Sequence, residues 1–352
     1  MKIIASKQKT LTYGFTLLEM LLVVFIMGIL MTTSLSFIEN EDGQLRYQES
    51  IAKLDLIGKA VIDLSENDGQ KTLSGFVFDN GVLPKRYPAC DNDLYALTSR
   101  TNADGLPDCD DLSSSAELLE KYGPKTPKYV VDSSDNFDMT EHIIFKGFRG
   151  PYLPVSELDS EREFKDGWGE DYSVDDTDQY HFKVSLENVF SGGAQKLDGF
   201  DDVVVREISQ YDWSIDIDEL VISVTNETSD SANDLDSGIF VALLIFTNDE
   251  VSDQRWKTYS FSLPTNVTIA QGASHSFGPG ETDIAGETDI VWQQNGESLT
   301  ESRIPVGRHL AVLYESNDSG IPPSEDDIRG SKQFLLLPRS SIPMINLTYL
   351  DN

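Results

Sequence analysis

Positive charge is what this sequence lacks most: 27 Lys and Arg stand against 60 Asp and Glu, a formal charge of −33 over 352 residues. A chain so poor in clustered cations has no footprint for a phosphate backbone, so nucleic acid is not expected as a partner. Histidine is also scarce. His142, His181, His275 and His309 lie far apart, and none sits in a Gly-x-Ser-x-Gly, His-Glu-x-x-His or Walker-type context. With carboxylates this abundant, a pair at glycosidase spacing would arise by chance. The chain is therefore not read as an enzyme, and no catalytic residue is assigned. Two cysteines, Cys90 and Cys109, are too few for a Cys/His zinc cluster and suit one disulfide closing a short loop in an oxidising compartment.

The acidity is uneven. Residues 1–38 hold three lysines and one glutamate, so the part from Glu39 onward carries −35. Such a surface reads either as adaptation to salt or as a source of carboxylate ligands for a hard cation such as Ca²⁺. At 39% hydrophobic the chain still has enough apolar residues for real cores, and its length allows a terminal segment plus about two domains.

Against this background one apolar run stands out. From Phe15 to Leu35 there are about twenty residues with a single charge, Glu19, enough helix to cross roughly 30 Å of hydrocarbon. Lys2, Lys7 and Lys9 precede it, so the positive-inside rule places the N-terminus in the cytoplasm and the rest across the membrane. A secretory signal would have its apolar core before the cleavage site, whereas here Gly14 comes first. Glu19, a carboxylate inside an apolar helix, needs a partner. Cleavage after Gly14 would free one, the α-amino group of Phe15.

Gly14-Phe15-Thr16-Leu17-Leu18-Glu19 resembles the processing signal of type IV prepilins and of the pseudopilins of type II secretion. The resemblance implies that a prepilin peptidase cuts after Gly14 and methylates Phe15, leaving 338 residues. It also implies that Glu19 meets the N-terminal amine of a neighbouring subunit in a filament. Ser36 stands where the family often has proline.

Beyond the run, Leu45, Ile51, Leu54, Ile57, Val61 and Leu64 form a helical stripe, with Glu41-Asp42-Gly43 as a possible break and Asn67-Asp68-Gly69 as the stop. Residues 70–140 are loop-rich. Within them 102–111 has acidic spacing like part of an EF-hand loop, though Arg100 fills its usual first acidic position; the other reading is a solvated turn stapled by Cys90 and Cys109.

Two further segments, Gly150-Pro151-Tyr152-Leu153 and Asp166-Gly167-Trp168-Gly169-Glu170-Asp171-Tyr172, read physically as a turn entering a strand with Trp168 as an anchor. They are also similar to the Gly-Pro-Tyr-Leu and Asp-Pro-Trp-Gly-x-x-Tyr signatures of major pseudopilins, with Gly167 in place of proline. Ser191 to Val203 then resembles that family's calcium loop, which makes Asp198, Asp201 and Asp202 candidate Ca²⁺ ligands and Ser191 a weaker one; the alternative is an acidic turn without metal.

From about Glu207 the pattern changes to short β-branched and aromatic runs separated by polar turns, which suggests a β-sandwich. The expected fold is α+β: a long membrane-spanning helix packed on a small pilin-like β-sheet head, then a β-sandwich-like domain. The expected divisions are a leader at 1–14, a transmembrane and filament helix at 15–37, a pseudopilin-like periplasmic domain at 38–206 and a β-rich domain at 207–352. The expected function is that of a filament subunit, minor rather than bulk, of a type II secretion or type IV pilus machine. Its partners would be other pilin-like subunits, the prepilin peptidase and membrane lipid, and its location the inner membrane, single-pass. The alternative is an adhesin-type module whose β-domain binds a surface, a glycan or a secreted substrate.

Overall fold

The computed structural model describes residues 16–67, 69–84, 94–98, 144, 146–147, 151–154, 164–175, 178, 180–190, 193, 195–196, 203–229, 234–236, 238–247, 256–265, 267–278, 292–294, 297–299, 302–315, 327–339 and 342–350. Helix α1, Leu17–Val61, opens on a capping box and ends where Ile62 turns extended, its N–H still bonded to Gly58 O at 3.0 Å. It does not break at Glu41-Asp42-Gly43, because Asp42 pairs with Arg46 one turn on at 3.0 Å and supports the helix there. Ser50, Leu54, Ile57 and Val61 are buried at helical spacing, and this face packs on the head. Leu45 is 64% exposed and Leu64 41% exposed, so neither belongs to the buried stripe; Leu64 lies in a strand.

That strand, β1 (Asp63–Asn67), forms a hairpin with β2 (Gln70–Ser74). Asn67 pairs with Gln70 and Gly69 has φ 76°, so Asn67 and Gly69 close a hairpin, and the helix has already ended at Val61. Two short helices follow, α2 (Phe76–Asn80) and α3 (Tyr95–Thr98). A three-stranded sheet of β3 (Ser173–Asp175), β4 (Phe182–Glu187) and β5 (Val203–Ile208) lies against α1.

The four-residue α4 (Gln210–Trp213) leads into β6 (Ser214–Asp216), a 3₁₀ turn and β7 (Ile222–Asn226). Then come β8 (Ile239–Phe246), β9 (Trp256–Ser262), β10 (Ser274–Phe277), β11 (Gln293–Gln294), β12 (Glu297–Ser298), β13 (Arg303–Pro305), β14 (Gly307–Glu315), β15 (Ile328–Leu336) and β16 (Ile345–Tyr349). Their main sheet has the order β12-β11-β9-β8-β14-β15, and a second has β10-β7-β16 with β16 parallel to β7.

Strand β8 reads Ile-Phe-Val-Ala-Leu-Leu-Ile-Phe with no polar alternation, because both sides of it are covered. Val241, Leu243 and Ile245, with Ala311 and Leu313 of β14, face the main core. Ala242 and Leu244, with Leu310, Val312 and Tyr314, form a second cluster under Ile144. The main core takes in Leu54, Ile57 and Val61 of α1, Phe76 and Val77 of α2, Phe182 and Val184 of β4, and the inner faces of the C-terminal sheets. Residues on both sides of position 206 therefore share one buried cluster.

Two expectations are corrected. The described residues are mostly strands, with α1, three helices of four or five residues and a 3₁₀ turn as the helical content, so an α+β fold with a pilin-like head is not supported. The reason is that residues beyond α1 contribute almost only strand pairings. In addition, no helix among the described residues is long and apolar enough to cross a membrane, which overturns the single-pass inner-membrane location. The described apolar stretch of α1, 17–33, is about 25 Å long against roughly 30 Å of hydrocarbon, and it carries Glu19.

Candidate functional site

The first turn of α1 explains where the Glu19 carboxylate goes. Its Oε2 accepts from Thr16 N at 2.9 Å and from Thr16 Oγ1 at 3.2 Å, while Glu19 N donates to Thr16 Oγ1 at 3.3 Å. This reciprocal box satisfies donors that a helix start otherwise leaves bare. It also fixes the chain direction one residue after Phe15. Gly14 and Phe15 themselves lie outside the described residues.

From that cap outward, thirteen large apolar side chains between Leu17 and Met31 are 44–83% exposed. They are not one stripe: every side of the helix is apolar and bare. Soluble monomers seldom leave a contiguous apolar surface of this kind uncovered, and where they do it marks an interaction site.

At the other end of α1 a polar clasp joins two of the segments singled out in the sequence. Asp166 Oδ1 accepts from Trp168 N at 2.8 Å and Glu170 N at 2.9 Å, shaping the Asp-Gly-Trp-Gly turn, and Oδ2 accepts from Lys196 Nζ at 2.6 Å. The two side chains are 0% and 2% exposed. The ammonium also lies 5.6 Å from the Trp168 ring centre and 5.8 Å from that of Phe190, a cation held between π faces as well as by a carboxylate. Lys196 N donates to Asn188 O at 2.9 Å, so its own loop is closed behind it.

The turn is fastened to the helix as well. Gly167 N donates to Ser50 Oγ at 2.8 Å and Tyr172 Oη to Ser50 O at 2.9 Å. Burial, with the Asp166 carboxylate nearby, pushes the Tyr172 hydroxyl well above its ordinary pKa, so it stays a donor. A Cβ at Gly167 would fall on the backbone carbonyl of Arg46. Glycine at this position therefore serves a close approach to α1 and supplies an N–H that proline lacks.

Asp198, Asp201, Asp202 and Ser191, the candidate calcium ligands, lie outside the described residues, as do Cys90, Cys109 and the acidic segment 102–111. Among the described residues no group of three or more His, Cys, Asp or Glu is placed to hold a metal ion. Sequence reasoning missed Lys196. The signal was present, since it is the only cation between Lys183 and Arg206, but its partner lies thirty positions upstream.

The described histidines do separate work. His309 is fully buried, with Nε2 2.8 Å from Pro305 O, and burial together with the Lys146 ammonium brings its pKa down to about 3. Nε2 carries the proton, since the carbonyl can only accept. His181 Nδ1 lies 2.7 Å from Asp178 Oδ2 at an open cavity of about 220 Å³ lined by Asp175, Asp178, His181, Lys183 and Glu207. His275 lies 4.7 Å, centre to centre, from the Phe277 ring. No protein family, curated protein or solved structure matches the chain.

Proposed function

We propose that the chain is a filament-forming subunit, assembled by packing the Leu17–Met31 stretch of α1 against the same stretch of other copies or of related pilin-like subunits. One observation carries this: a capped helix whose apolar side chains are exposed on all sides. Each large apolar side chain contributes about 1.5–3 kcal/mol when fully buried, so thirteen of them even partly covered outweigh the cost of association. Packed helices bring Glu19 into an apolar bundle, where its bonds to Thr16 keep it satisfied and a neighbouring amine would neutralise it.

The test is in two parts. Intact mass of the purified protein is expected to show cleavage after Gly14 and a methylated Phe15, and Gly14→Ala to retain the leader; any other N-terminus sinks the processing claim. Leu21→Glu with Phe25→Glu, both at exposed positions, is expected to leave the head folded and abolish assembly in light scattering and electron microscopy. Filaments or oligomers undiminished in that variant would overturn the packing claim.

A further inference from the structure

The apolar half of α1 is bare on every side, whereas the head covers one side of the other half. Ser50, Leu54, Ile57 and Val61 are buried there. The side left open carries Leu45, Ala52 and Leu56, spaced i, i+7 and i+11. Measured from Ala52 at about 100° per residue, Leu45 and Leu56 lie within about 40°, and the four buried residues between about 140° and 180° away. Leu45 is 64% exposed and Leu56 43%. Two bare leucines with an alanine between them therefore lie opposite the head.

This face is continuous with the apolar stretch, because α1 runs unbroken from Leu17 to Val61. A second helix lying along Leu17–Met31 is free to approach from any side, but along residues 45–56 it meets the head unless it follows the Leu45, Ala52 and Leu56 face.

The flanks of the face say what fits it. Glu41, Glu49 and Asp55 are exposed beside it, and the Glu49 carboxylate is taken by Lys53 of its own helix at 2.8 Å. Two such faces set against each other would bring acids against their own counterparts, on chains that each carry −33. The Leu17–Met31 stretch is different. Its one charge is Glu19, held by Thr16 in the first turn, so an apolar face that docks on it meets no repelling carboxylate along the rest of its length. Every copy carries both surfaces.

Resting on assembly through α1, we propose that the Leu45, Ala52 and Leu56 face of one copy docks on the Leu17–Met31 stretch of a second, displaced by about 40 Å along parallel helices. The head lies on the opposite side of its helix and points away from the partner. The two surfaces differ, so the contact is head-to-tail and repeats from copy to copy instead of closing on a dimer. It gains from apolar burial and is opposed by charge, so it strengthens as salt screens the chains.

The test uses the full chain with Leu21 and Phe25 unchanged. Leu45→Glu with Leu56→Glu, both at exposed positions, is expected to keep the parent's urea midpoint and to raise the concentration at which filaments form at least about tenfold. Lys71→Glu, which changes the charge by the same two units at an exposed position of β2, is expected to assemble like the parent. Filaments of the parent are expected to form more readily at 500 mM than at 50 mM NaCl. Benzoylphenylalanine at position 52, irradiated in assembled protein, is expected to link to residues 17–31 of another copy. If Leu45→Glu with Leu56→Glu assembles like its parent while Leu21→Glu with Phe25→Glu does not, this docking falls and helix assembly stands. If the Leu21 and Phe25 variant also assembles, helix assembly itself falls. A photo-link to residues 41–61 or to the head of another copy, no link between copies, a Lys71→Glu defect as large, or filaments that dissolve at high salt each overturns the proposal.

Discussion

Replacing Lys196 by methionine keeps most of the side chain's length and removes its charged donor group, which makes it a sharp probe of the clasp. The perturbed geometry is specific: Asp166 Oδ2 loses a 2.6 Å partner while Oδ1 keeps both backbone donors, at 2.8 and 2.9 Å. With side chains 0% and 2% exposed, no solvent replaces the ammonium. Removing one partner of a buried ion pair costs about 3–5 kcal/mol. The two remaining donors place this case at the low end, about 3 kcal/mol, a substantial part of the 5–15 kcal/mol that folded proteins have in total. Asp166→Asn retains the acceptor for Trp168 N and Glu170 N but leaves Lys196 buried without a countercharge, so a similar loss is expected. In the double variant neither charge remains, and its cost is expected to fall short of the sum of the singles by about 2 kcal/mol. Urea unfolding followed by tryptophan fluorescence reads all three, with Trp168 as a reporter inside the site. A Lys196→Met protein within about 0.5 kcal/mol of the parent, or strict additivity in the double variant, would refute the reasoning.

Gly167→Ala is expected to destabilise by about 1–3 kcal/mol in the same assay, because its Cβ meets the Arg46 carbonyl of a helix that cannot yield; a neutral result would mean the approach is looser than drawn. His309 gives a pH signature. Its folded pKa, about 3, lies below the ordinary 6.5, so the stability it confers is fully present above pH 6.5. As pH falls from there towards 3 the unfolded chain takes up a proton that the native chain refuses, and stability declines by at most about 1.4 kcal/mol per pH unit. His309→Gln, whose amide N–H can still reach Pro305 O, is expected to flatten the stability profile between pH 6 and 4 by one proton. An unchanged slope would show that His309 is not its source.

Much of the local structure was legible because it is local. The β8 and β14 runs stand at Ile239–Phe246 and Gly307–Glu315, close to the apolar runs that mark them in the sequence. The burial of Leu54, Ile57 and Val61 follows from helical spacing. The Thr16/Glu19 box is an N-cap pattern written in four residues. What misled was context. The same glycine that can end a helix also turns a hairpin, and whether β1 forms depends on β2 being free to pair with it. The apolar length of residues 15–35, with Glu19 as its one charge, suggested a span, but apolar composition is equally suited to lipid and to other helices.

By itself the sequence determined that the chain would have one exceptional apolar helix, a strongly acidic composition, and a strand-rich C-terminal half. Composition and periodicity are properties of neighbouring residues, so they survive any choice of tertiary arrangement. Only the tertiary structure decided that α1, α2 and the C-terminal sheets share a core, that Lys196 finds Asp166, that Gly167 lies against the helix backbone, and that Trp213 reaches the Tyr180 carbonyl. Each of these joins residues distant along the chain, and the energy of burying or pairing them exists only once the whole path of the backbone has brought them together.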